Sequence, residues 1–229
     1  MITVDAVYSG VNNGGTSSTT LSWSHTVNSG DNRLLIVTFH AFGGPSSVSS
    51  VTYGGQSLTK VSDAYESSRS VLSSMWYLIN PNVGTNTITV NYSSTTNTCA
   101  GSSMSLFGVK QISPLYSYQS TTATNTHTIS VNLNANTNDI IIEAISSNED
   151  ASASLDVSSS QTIYYSTRIL NTNPAYWVKD ARKIASSSGS YTETWSVGTT
   201  YFINSATLVG AVFSAAPPSS SSFFLFFNN

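Results

Sequence analysis

Acid–base groups are few in this chain, and two glutamates stand out among them. Glu143 and Glu193 both fall in stretches that read as β-strands, so they can face each other. A glycosidase needs two carboxylates facing across a cleft. Strand carboxylates more often point to water or pair with a base such as Lys179 or Arg182. Lysine beside asparagine and a carboxylate can also close an intramolecular isopeptide bond, although no motif marks one here. The histidines His25, His40 and His127 sit on expected strands without metal-ligand spacing. His25 and His127 are read as holding equivalent places in two similar stretches. That leaves a shared metal site open beside the plainer reading of hydrogen-bonded strand histidines. Asn148-Glu149-Asp150 is an acidic loop, and Glu149 and Asp150 can contribute to an oxygen cage for Ca2+. One loop rarely supplies enough ligands, and no other cofactor is expected. No Gly-x-Ser-x-Gly elbow, phosphate-cradling glycine loop or Cys-x-x-Cys pair occurs. These residues point away from an enzyme, with no catalytic residue expected.

Aromatic side chains offer a second kind of chemistry. Tyr164, Tyr165, Tyr176, Trp177 and Tyr201 can stack on sugar rings, with Asn and Ser neighbours donating hydrogen bonds. Trp177 is read as the counterpart of Trp76, which favours a place in the core. Asn91-Tyr92-Ser93 matches a glycosylation acceptor, relevant only to a secreted chain. A single cysteine, Cys99, excludes an internal disulfide framework and reads as a buried thiol.

The elements that must position these groups are strands. Asn32 to Phe39 is a near-continuous apolar run rich in β-branched and aromatic residues, which reads as a strand buried on both faces or central in a sheet. Ile140 to Ile145 repeats it, and both runs follow turn-rich Asn/Asp segments. Leu21, Trp23, His25 and Val27 alternate on one face, as do Ile129, Val131 and Leu133. Gly54-Gly55 between Tyr53 and Gln56 is a tight-hairpin signal, because both glycines tolerate positive φ. Asn80-Pro81 stops the strand around Trp76. Residues 9–20, rich in Gly, Asn, Ser and Thr, read as a loop, and Lys179 to Ala185 as at most one helical turn. Similar stretches recur at a spacing of roughly a hundred residues, too long for a solenoid repeat.

The expectation is therefore all-β: a jelly-roll-like antiparallel β-sandwich of about ten strands, built from two pseudo-repeated halves. One domain would span 1–215, with repeats at about 20–110 and 125–213. A Pro/Ser linker and an apolar tail follow at 216–229. Phe223, Phe224, Leu225, Phe226 and Phe227 are too few to span a membrane. They can pack on their own domain or add to a neighbouring subunit as an assembly tail.

Charged residues make up 8%, against about 25% in an ordinary soluble domain. The net charge of −3 disfavours nucleic acid as a partner. Residues 1–7 show no basic or apolar leader pattern; with Met1 in place, that favours a protein that never used a secretory signal.

Three segments together resemble a β-sandwich domain of phage tail, fibre and microbial surface proteins. They are Leu21-Ser22-Trp23-Ser24-His25, Asn32 to Val37, and Val51-Thr52-Tyr53-Gly54-Gly55-Gln56-Ser57-Leu58-Thr59-Lys60-Val61, continued by Met75-Trp76-Tyr77-Leu78-Ile79-Asn80-Pro81. The likeness covers most of 3–213, and the Phe-rich tail departs from it. It implies a jelly-roll structural or adhesive module without catalytic residues. The expected function is a non-enzymatic structural subunit of a virion surface or an extracellular cell-surface filament, a homo-oligomer joined through β-edges. A carbohydrate-binding adhesion module is the alternative.

Overall fold

The computed structural model describes residues 1–149, 155–157, 161–169 and 175–218. The Phe223–Phe227 stretch and Asp150 lie outside them. The described residues form strands joined by turns, with no helix. The first half contains β1 (Thr3–Val27), β2 (Leu34–Phe42), β3 (Val48–Tyr53), β4 (Gln56–Ser57), β5 (Thr59–Glu66), β6 (Val71–Ile79) and β7 (Gly84–Phe107). The second contains β8 (Leu115–Thr126), β9 (Thr128–Ala135), β10 (Ile140–Glu149), β11 (Asp156–Val157), β12 (Thr162–Ile169), β13 (Ala175–Ile184), β14 (Gly189–Ser196) and β15 (Ile203–Phe213).

The two apolar runs become β2 and β10, and every residue in both is buried. Each is the centre of a sheet. In the first unit the order is β4-β3-β7-β2-β6-β5, with β1 running along β7. The early part of β7, up to Tyr92, pairs with β3, and its later part, from Cys99, pairs with β2. Because β1 follows β7 along its length, this one sheet folds over into two layers. The second unit makes the same two layers from separate sheets, β12-β13-β10-β15-β8 and β11-β14-β9. All pairings are antiparallel, which matches the sandwich read from the sequence.

Three apolar layers hold the units. Trp23, Val37, Phe39, Tyr53 and Ile88 fill the first unit. Val131, Ile141, Trp195 and Leu208 fill the second. A third layer lies between the units, where Leu34, Ile36, Met75 and Met104 meet Ile140, Ile142, Val209 and Phe213. This third layer explains why β2 and β10 are apolar on both faces. One face serves each strand's own sandwich and the other serves the seam.

The turns follow from residue type. Gly54 and Gly55 have φ of 52° and 83°, the two positive values that a two-residue hairpin loop needs. Asn32 and Asn138 hold φ of 55° and 71° just ahead of β2 and β10, a conformation asparagine tolerates better than most residues. The next residue ties each leading turn down with opposite charge. Arg33 donates to Pro81 O, Gly30 O and Asn80 Oδ1 at 3.0, 2.7 and 2.5 Å. Asp139 accepts from the backbone N–H of Asn136 and of Ala215, both at 2.9 Å.

Several local expectations are corrected. Residues 9–20 are not a loop but the middle of β1, held by β7 and interrupted only by register shifts near Asn13 and Ser18. Lys179–Ile184 is strand rather than a helical turn, and the strands number fifteen among the described residues rather than about ten. The repeat also has a different phase. Leu34 pairs with Ile79, and Ile140 with Ile184, so Trp76 corresponds to Ala181 and not to Trp177.

Gly101 shows how tightly the first sandwich closes. A Cβ there would sit 2.5 Å from Trp23 Cη2 and 3.1 Å from the Thr38 carbonyl oxygen. Gly101→Ala is therefore expected to destabilise the protein by about 1–3 kcal/mol through overpacking. Urea unfolding checks this, and an unchanged midpoint would show that the indole moves aside freely.

Candidate functional site

Two groups of buried polar side chains are the places where chemistry can be sought. The first lies in the seam. Asp180, on β13, accepts from Thr38 Oγ1 at 2.7 Å, Ser102 Oγ at 2.6 Å and His40 Nε2 at 3.0 Å. His40 Nδ1 lies 2.8 Å from Ser146 Oγ. Asp180–His40–Ser146 thus has the connectivity of a catalytic triad. Its surroundings deny it that role. All three residues are 0% exposed, and Ser146 Oγ also donates to Leu72 O at 3.0 Å and meets Ser73 Oγ at 2.7 Å. Ser73 Oγ continues the chain to Thr207 Oγ1 at 2.8 Å. No substrate carbonyl can approach a hydroxyl so enclosed. The network joins the units instead, since Asp180, Ser146 and Thr207 come from one and His40, Thr38, Ser102 and Ser73 from the other.

The second group sits inside the second sandwich. Glu143 on β10 and Glu193 on β14 are brought into one cluster with Lys183 and Gln161. Lys183 Nζ forms an ion pair with Glu193 Oε1. Gln161 Nε2 donates to Glu193 Oε2 at 2.6 Å, and Trp195 Nε1 donates to Glu143 Oε2 at 2.6 Å. Burial pushes the Glu143 carboxyl up to about 7, and the neighbouring Glu193 charge adds to this. Both glutamates are 0% exposed. The nearest cleft, about 350 Å³, is walled by Thr162, Arg182, Lys183, Ile184, Ser186 and Tyr191. It therefore reaches Lys183 and neither carboxylate. The glutamates face each other across a lysine, not across a space that could hold a sugar.

The remaining candidates are scattered. Tyr164 packs on the seam, and burial followed by the Asp180 charge holds its phenol well above the usual range. Tyr165 packs on the small cluster around Phe42 and Val178, with its hydroxyl buried. Tyr176 lies against Phe42, ring centroids 4.5 Å apart, beside a 190 Å³ cleft. Tyr201 packs on the second core, and its carbonyl oxygen lies 2.7 Å from His127 Nδ1. These four do not converge on one surface. Trp177 is half-buried, with Lys179 Nζ 5.3 Å from its ring centroid.

His25 and His127 are not equivalent. His25 is wholly buried on β1, where Nδ1 meets Ser103 Oγ at 2.8 Å, whereas His127 lies in the link before β9. The partners of Val90 and Trp195, which are Leu21 and Ile129, set the phase and place Leu133 opposite His25 in the repeat. Burial pushes His25 down to about 4, against the pull of Asp5. Glu149 is fully buried and accepts from Ser147 Oγ. Burial pushes its carboxyl up to about 7, against the Ser147 hydrogen bond and the Lys179 charge. Among the described residues no three His, Cys, Asp or Glu side chains converge to hold a metal ion. Cys99 is buried, and burial raises its thiol.

Reading strands singly misses the pairing of His40 with Asp180, because only the packing of one unit on the other brings β2 and β13 together. The outer edges are a further feature. In the second unit β8 is the terminal strand of its sheet, with Tyr116 and Tyr118 about half exposed.

Two measurements probe the buried groups. Asp180→Ala strands three donors in a dry seam and should cost about 3 kcal/mol or more in denaturant unfolding. Asp180→Asn, which keeps an acceptor, should cost less; equal losses would show that the charge is immaterial. Glu149 binds its proton more tightly folded than unfolded. Its contribution is thus fully present below the ordinary value of 4.5 and is lost as pH rises through about 7. Relative to Glu149→Gln, the wild type should lose on the order of 3 kcal/mol across that window. Parallel stability curves for the two proteins would remove Glu149 as a titrating group. No family model, curated protein or solved structure matches this chain, so its function is read from this geometry.

Proposed function

We propose that the protein is a non-enzymatic structural subunit of an extracellular assembly, on a virion surface or a cell-surface filament, that associates with its own copies through strand edges. The observation that carries this reading is β8. It runs for 12 residues at the edge of its sheet and contains no charged residue and no proline. Edge strands are ordinarily blunted by lysine, proline, bulges or shortness, because their outward N–H and C=O groups are templates for another strand. From Ser117 to Thr124 the pairing of β8 with β15 runs without a register shift, so its outer edge is straight. β1, the corresponding edge of the first unit, carries Asp5 and is broken by three register shifts. One edge is thus guarded and the other open, which suits addition of a strand from a second copy.

The surface chemistry agrees with such a role. Charge is sparse and Ser, Thr and Asn are abundant, so close approach of like copies meets little electrostatic repulsion. The acid–base groups of the two clusters point inward, into the seam and the second core, where they brace the structure.

Light scattering across a concentration series tests the proposal. Thr122→Lys with Thr124→Lys places two charges at exposed positions on β8. The pair should weaken self-association by roughly tenfold or more, since like charges meeting across strands cost on the order of 1 kcal/mol. Deleting residues 217–229 should leave the association in place. Oligomers that survive the lysines but vanish with the deletion would move the contact to the tail and overturn the edge reading.

A further inference from the structure

The two units, aligned by their hydrogen-bond registers, provide an internal control for the buried acidic cluster. Leu34 and Ile140 start the matched strands β2 and β10, so Val37 corresponds to Glu143. Ile79 corresponds to Ile184, so Leu78 corresponds to Lys183. Thr59 pairs with Tyr77 as Thr162 pairs with Arg182, so Leu58 precedes β5 where Gln161 precedes β12. Val51 pairs with Val90 as Val157 pairs with Trp195, so Ile88 corresponds to Glu193. The first unit closes this corner of its core with Val37, Leu58, Leu78 and Ile88, all part of one apolar cluster or packed against it. The second unit puts Glu143, Gln161, Lys183 and Glu193 in the same four places. The fold does not require polar groups there, and apolar residues commonly serve stability as well or better.

We infer that this quartet builds a covalent cross-link, an amide between Lys183 Nζ and Glu193 Cδ, formed by the folded chain itself. Each reacting part is in place in the fold. Lys183 and Glu193 are already paired, one from the inner sheet and one from the outer. In the first step the proton passes within this pair from Lys183 Nζ to Glu193 Oε1, giving an amine and a neutral acid. The amine nitrogen then attacks Glu193 Cδ. Gln161 Nε2, already donating to Glu193 Oε2 at 2.6 Å, steadies the oxyanion of the tetrahedral intermediate.

Glu143 supplies the proton. Trp195 Nε1 holds its Oε2, while Oε1 is buried on the side of Gln161, Glu193 and Lys183. Its elevated proton affinity keeps that proton available near neutrality. The C–N bond forms, the C–OH bond breaks, and the hydroxyl leaves as water with the proton from Glu143. Glu143 then recovers a proton from the nitrogen. Nothing is oxidised or reduced, and no co-reactant is needed.

The link would staple the two layers of the second sandwich, joining β13 to β14. With one cysteine in the chain, an internal disulfide cannot perform this task.

Intact-mass measurement of the denatured full chain decides the matter. The wild type should weigh less than its sequence by one water, and fragmentation should join the peptides that carry Lys183 and Glu193. Glu143→Gln, checked for folding by circular dichroism, should keep the full sequence mass. A wild type at full mass overturns the inference. So does a loss of one ammonia with Lys183 joined to Gln161, or a water loss that maps to other residues. If Glu143→Gln fails to fold, the wild-type mass and its fragment map still settle whether the bond exists.

Discussion

The structure depends on one buried carboxylate. Asp180 sits at the meeting of the two units with no access to water, and its donors Thr38, His40 and Ser102 all belong to the opposite unit. Apolar faces tolerate sliding, because a leucine can exchange one apolar neighbour for another at little cost. A carboxylate held by three donors from the opposite unit does not, since any shift leaves charge or donors unmatched in a dry place. The layer of Leu34, Ile36, Ile140 and Ile142 supplies attraction between the units. Asp180 and the hydroxyl chain through Ser146, Ser73 and Thr207 fix their relative placement.

The same constraint explains why β2 and β10 dominate the chain. A strand of an ordinary two-layer sandwich buries one face and alternates. These two bury both, because each lies between its own outer layer and the other unit. Their near-continuous apolar character is the sequence record of a four-layer arrangement. The outer strands record the opposite situation. β9 alternates exposed and buried residues without a break from Thr128 to Ala135, as a strand with one wet face should.

Much of this was legible in the residues. The doubled anchor, the Gly54-Gly55 hairpin and the stop at Asn80-Pro81 all have local causes, and local causes can be read from one stretch. What escaped has a distant cause. The Asn/Gly/Ser/Thr-rich middle of β1 looks like a loop, and it becomes strand because β7, some eighty residues on, offers a ladder to it. Trp177 drew the repeat out of phase, because tryptophans catch the eye while equivalence is set by backbone pairing. The meeting of His40 with Asp180 also has a distant cause, because it is made only where one unit packs on the other. The facing of Glu143 and Glu193 was readable as a possibility. Their partners Gln161 and Lys183 were not, although the two repeats in correct phase show four apolar positions turning polar together.

That joint change bears on how the duplicated halves divide their work. The first unit fills the matching corner with apolar residues and has a guarded edge: β1 is bulged and carries Asp5, which accepts from Asn28 and Ser105. The second unit holds the buried acidic quartet and the open edge. An exposed strand that is to pair with another copy must stay flat and in register, or the pairing is lost. A tie between the layers at β13 and β14, as inferred above, would add rigidity to this unit. Stiffness in the second unit would serve the proposed pairing along β8, with the first unit as the frame that Asp180 locks in place.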